Sequence, residues 1–134
     1  MTIQDIIIST VITVLPLWML VPEVNIRCWD VGGVYVYDQN SKTSKIYVCD
    51  IWDTEFSKYH ELWHKIWIEY LTDKQRSEYI KAFNSAKLFY RDYSKTSALE
   101  DFADNYSNLI LKRNQKPDIQ KRMRIIKKFI FWNI

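Results

Sequence analysis

Apolar and polar positions change rhythm twice along this chain. Residues 6–21 carry no charged side chain at all. Between 24 and 50 the pattern becomes short β-rich runs, VNIRCW, GVYVY and KIYVC, separated by Gly32-Gly33 and by the polar stretch 38–44. That spacing predicts a small meander or hairpin. After Asp50 apolar residues recur at helical spacing to the end of the chain.

Start and stop signals divide this last part into four helices. Asp53 or Thr54 can cap a helix over about 54–71. Thr72 with Gln75 forms a capping-box pattern before a helix over about 73–90, and Ser97 with Glu100 repeats it before one over about 98–112. Pro117 suits the first turn of a last helix, about 117–131. The expected class is α+β: a small N-terminal β-sheet packed with four to five helices in a single domain spanning 1–134.

The uncharged N-terminal stretch has three readings. A signal peptide wants basic residues ahead of the apolar run, and MTIQD offers only an acid. A membrane anchor within 1–22 wants about twenty apolar residues, and Ser9, Thr10, Thr13 and Pro16 dilute this one. A buried first helix over about 3–14, ending before Pro16, fits the length best. The expected location is therefore cytoplasmic, with membrane attachment as the alternative.

Composition narrows the class. The chain has 134 residues, 48% hydrophobic and 26% charged, which excludes a disordered chain. Two glycines among them exclude collagen-like and linker sequences and argue against a turn-rich β-sandwich. Net charge is +3, but residues 111–134 alone carry eight basic side chains and one acidic. Such a run is expected to be the wet face of an amphipathic helix or a dock for an acidic partner. A nucleic-acid role is the weakest reading, because the aromatic residues spread through presumed core positions. Cys28 and Cys49 lack ligand-like spacing and are expected as buried thiols; a single disulfide is the exported alternative.

The chemistry concentrates at His60-Glu61-Leu62-Trp63-His64, which holds the chain's two histidines. Positions i and i+4 share a helix face, so both imidazoles can reach one zinc ion. Glu61 is turned about 100° aside, suited to take a proton from attacking water rather than to bind the metal. The bland alternative is an amphipathic helix with two core histidines, whose unpaired burial would cost free energy. The metzincin pattern continues with a glycine three residues and a third histidine six residues after the second, but Trp67 and Tyr70 occupy those places. The third ligand must be a carboxylate or a cysteine. In Ser97-Ala98-Leu99-Glu100-Asp101-Phe102-Ala103-Asp104, the residues Glu100, Ala103 and Asp104 share one face. Glu100 could ligate zinc and Asp104 could orient a histidine, while the alternative is a cap partner followed by a solvated acidic turn. Ala103 is expected to face the HELWH helix, with bulky Phe102 on another face and Asp101 in solvent.

HELWH followed by Glu100-Asp101-Phe102-Ala103-Asp104 resembles the gluzincin metallopeptidases, whose pattern is HExxH, a spacer, then ExxxD. The EDFAD form is most similar to the short minigluzincins and to the catalytic domain of anthrax lethal factor. The resemblance implies a minimal zincin-like fold, a Zn2+ cofactor and a peptide or protein substrate. It makes His60, His64 and Glu100 the zinc ligands, Glu61 the general base, and Asp104 the partner of His60. It also implies a substrate-pairing edge strand, from Lys45 to Cys49 or from Gly33 to Tyr37, and a tyrosine seven residues before the glutamate, which is Tyr93; Tyr90 and Tyr106 are rivals. Trp63 departs from the family, where glycine is frequent, and is expected to crowd the helix or reshape the pocket. The function expected is zinc-dependent endopeptidase. The reading from another class is a non-catalytic, zinc-stabilised interaction module.

Overall fold

The computed structural model describes residues 3–21, 23–50 and 53–130. The order is α1 (Ile3–Ser9), β1 (Val11–Leu15), β2 (Leu20–Val21), β3 (Ile26–Arg27), β4 (Gly33–Asp38) and β5 (Thr43–Cys49). Four helices follow: α2 (Thr54–Lys65), α3 (Asp73–Asn84), α4 (Ala98–Ile110) and α5 (Pro117–Ile130). The class is α+β, as expected.

The N-terminal segment departs from expectation. The helix expected over 3–14 is instead a short helix that stops at Ser9, followed by a strand; of the anchor expected over 1–22, residues 1, 2 and 22 lie outside the described residues. Two side chains end α1: Ser9 Oγ and Thr10 Oγ1 both donate to the Ile6 carbonyl, at 3.2 and 2.6 Å. The next residues, Val11 to Val14, are all β-branched and fit a pleated strand better than a helix. They run parallel to β5, Val11 opposite Lys45 and Leu15 opposite Cys49. Among the described residues no helix is long and apolar enough to cross a membrane.

β5 is the middle of a three-stranded sheet, β1-β5-β4, with β4 antiparallel to it. Lys45 to Cys49 therefore cannot supply a free edge; Gly33 to Tyr37, on β4, does. β2 and β3 pair separately as a two-stranded ribbon. Alternation along β5 serves two cores. Ile46 and Val48 pack with Leu62 of α2, while Tyr47 and Cys49 join Leu15, Val21 and Cys28 on the other face. Cys28 and Cys49 are disulfide-bonded, not free thiols as expected. The turn Cys28–Asp30 brings the first cysteine under the end of β5, a proximity that sequence spacing cannot show.

The main core lies between α2 and α4, closed by α3 and α5. Phe102 sits at its centre, 4.8 Å from the Trp63 ring, 4.8 Å from Trp67 and 4.5 Å from Tyr79. Phe102 thus packs on the HELWH helix instead of facing elsewhere, and Ala103 beside it is equally buried. The helix expected over 54–71 ends its α-helical part at Lys65 and continues through one π-helical turn, Ile66–Tyr70. The Thr72–Gln75 capping box forms in both directions and opens α3. α3 ends at Asn84 rather than near 90, and residues 85–96 run back toward the start of α4.

Asp101 corrects a second expectation. It is fully buried, not solvated, and accepts from Tyr79 Oη at 2.6 Å and from Arg122 Nε at 2.9 Å. Arg122, from the basic C-terminal run, is correspondingly absent from the wet face of α5. Its NH2 also donates to the Leu88 carbonyl at 2.7 Å, so the pair fastens the 85–96 segment to α4 and α5.

Candidate metal centre

The HELWH segment falls wholly within α2, so His60 and His64 project from one face. Asp53 stands at its N-cap, but its carboxylate leaves the helix end to receive two N–H groups of Arg113, both at 3.2 Å. α4 crosses α2 closely because Ala103 is small and Ser107 Oγ donates to the Phe56 carbonyl at 3.0 Å. At the start of α4 only half of the expected capping box is made. Ser97 Oγ accepts from the Glu100 N–H at 3.2 Å, but the Glu100 carboxylate turns to the histidines instead of back to the cap.

Glu100 Oε2 lies 2.9 Å from His60 Nε2 and 3.2 Å from His64 Nε2. One ligand atom from each of His60, His64 and Glu100 falls within 4.8 Å of the others. Two zinc bonds at a tetrahedral angle would set their donor atoms about 3.3 Å apart, so this donor set fits a zinc ion. The outer nitrogen of His60 is fixed as well: Nδ1 donates to Asp104 Oδ1 at 2.7 Å, which turns Nε2 toward Glu100.

Asp104 is fully buried and surrounded by donors. Besides His60 it accepts from Arg91 Nε at 2.8 Å, Arg91 NH2 at 2.9 Å and Ser94 Oγ at 2.7 Å. Burial would raise its carboxyl pKa, and His60, Arg91 and Ser94 outweigh that and lower it. Burial likewise opposes charge on His60, but Asp104 and Glu100 lift its imidazole to about 9. Glu100 is desolvated too, yet the two histidines hold it well below the usual carboxylate range. Glu61 goes the other way: burial dominates and raises it.

Beside the cluster opens a cavity of about 830 Å3, lined by Gly33, Phe56, His60, Glu61, Tyr90 and Tyr93 among others. Tyr93, in a short 3-10 turn over Asp92–Thr96, is half exposed with its ring centroid 6.4 Å from that of His60. Tyr90 also lines the cavity, stacked on Phe56 at 5.4 Å. Tyr106 is buried against Trp63, ring centroids 3.9 Å apart, and does not line the cavity. Trp63 points into the core and leaves the cavity unobstructed, contrary to expectation.

All the sequence-derived site residues, His60, Glu61, His64, Tyr93, Glu100 and Asp104, gather in one place. Arg91 and Ser94 carry no sequence signal as site residues, and Gly33, expected only as part of an edge strand, lines the cavity beside Glu61. Arg91 reaches Asp104 only because residues 85–96 return over α4, and no local pattern signals that. Comparison with protein families, curated proteins and solved structures finds no match to this chain.

Proposed function

We propose that the chain is a gluzincin-type, zinc-dependent endopeptidase. The observation carrying this reading is the convergence of His60, His64 and Glu100 from two helices, with Glu61 and Tyr93 beside His60 on the wall of the cavity. Asp104 adds the carboxylate that a ligating histidine needs behind it. His60, His64 and Glu100 would hold a zinc ion, which would supply Lewis-acid chemistry toward a peptide carbonyl and its attacking water.

The chain's own groups supply the rest. Glu61 takes the proton of the water and returns it to the departing amine. The Tyr93 phenol donates a hydrogen bond to the oxygen that gains charge in the tetrahedral intermediate. β4, the sheet edge at the cavity, pairs its backbone with an extended substrate. Arg91 and Ser94 hold Asp104, and through it the ring of His60.

Glu61 favours the peptidase over the zinc-stabilised interaction module, since a structural metal site has no use for a buried carboxylate on its open side. The bonded Cys28–Cys49 pair supports an oxidising compartment rather than the cytoplasmic location expected from sequence. A diverse peptide library digested with and without chelator tests the proposal. Chelator-sensitive cleavage is expected; no cleavage by zinc-loaded protein would move the interaction module ahead.

A further inference from the structure

Gly33 lies where β4 passes closest to the HELWH segment. A Cβ placed on it would stand 2.9 Å from Glu61 Cγ and 3.1 Å from the Tyr47 carbonyl oxygen. No glycine in the described residues has a positive φ, so glycine is not needed here for backbone conformation. What the position needs is the missing methyl group. Non-bonded carbons prefer about 3.5–4.0 Å, so one of the two neighbours must move if the methyl is present. Tyr47 is backbone of the central strand, paired on both sides by β1 and β4. Glu61 is a side chain with rotatable bonds. The side chain yields first.

The same strand also touches the carboxylate. A Cβ on Gly33 would stand 3.5 Å from Glu61 Oε1. Strand alternation puts the N–H groups of 33 and 35 on one edge, while the Gly32 carbonyl points to β5, where it accepts from the Cys49 N–H at 3.0 Å. Glu61 is therefore packed against β4 where Gly33 presents a bare Cα to its Cγ.

We infer that Gly33 is a positioning residue for Glu61, its missing side chain letting β4 close over the glutamate and aim the carboxylate into the cavity. The catalytic consequence rests on the peptidase reading; the contact itself does not. A misplacement of about 1 Å in a catalytic group costs on the order of 100-fold in rate.

Two measurements test this. The first is a stability cycle that needs no activity. Gly33→Ala should lower the melting temperature of the wild type but not of Glu61→Ala, because that truncation removes the Cγ that the new methyl meets. Equal loss in both backgrounds would place the clash on the Tyr47 backbone and overturn the inference. The second measurement is kinetic, on zinc-loaded protein of verified metal content. Gly33→Ala should lower kcat by about 10- to 100-fold with KM and zinc affinity little changed. A rise in KM with unchanged kcat would make Gly33 a substrate contact and overturn the positioning role. A coupled stability cycle with no peptidase turnover in the wild type would uphold the Gly33–Glu61 contact and sink the peptidase reading instead.

Discussion

Asp104 accepts a hydrogen bond from Nδ1 of His60 at 2.7 Å across a sequence separation of 44 residues. The bond joins the two helices at the one imidazole nitrogen that a metal would leave free. It also makes Asp104 the hub through which Arg91 and Ser94 reach the cluster.

If the cluster holds zinc, the purified protein should carry one ion per chain, and chelation should lower its melting temperature, because ligands from two helices couple metal binding to folding. Native mass spectrometry and melting with chelator check this. Glu100→Ala should lose the most zinc affinity, and Asp104→Ala about 10- to 100-fold, as expected for a group that orients a ligand. A melting curve indifferent to zinc would remove the metal from the account.

Glu61→Gln should keep zinc affinity close to wild type yet abolish peptide turnover, since an amide cannot accept the proton of the attacking water. Zinc titration beside a cleavage assay separates the two effects. Retained turnover would show that some other group acts as the base.

Tyr93→Phe should lower kcat by roughly 10- to 1000-fold with little change in KM, if the phenol meets only the transition state. Steady-state kinetics on a defined peptide decides it. Activity equal to wild type would shift attention to Tyr90, the other tyrosine lining the cavity.

Asp101→Ala should leave zinc affinity largely intact but destabilise the fold by about 3–5 kcal/mol, because it removes the buried carboxylate that Arg122 and Tyr79 share. Urea unfolding measures the loss. A variant as stable as wild type, or one that loses zinc as Glu100→Ala does, would mean that Asp101 belongs to the metal cluster rather than to the core.

Reduction of the Cys28–Cys49 disulfide should cost about 3 kcal/mol, the chain-entropy value for a closed loop of about twenty residues. Unfolding with and without reductant reads it. The loss should be accompanied by a lower cleavage rate, since Cys28 anchors the turn that leads into the cavity-lining Gly33.

The local part of this protein was legible from the residues alone. Helical spacing put His60 and His64 on one face, capping chemistry marked the starts of α3 and α4, and the Glu100-Asp104 spacing put both carboxylates on one face of α4. These are short-range matters, set by 3.6 residues per turn and by which side chains can satisfy a helix end. What failed was whatever depended on a distant partner. The N-terminal segment reads as a helix to about residue 14, but Val11–Leu15 becomes β1 because β5 offers a ladder for its β-branched residues. Asp101 reads as a wet first-turn acid, yet Arg122, 21 residues on, takes it into the core. Cys28 meets Cys49, and Arg91 meets Asp104, only after the chain has folded back on itself. Tertiary packing alone decided these, because the free energy of an ion pair, a sheet ladder or a close Cβ contact belongs to both partners, and one stretch of sequence carries only one of them.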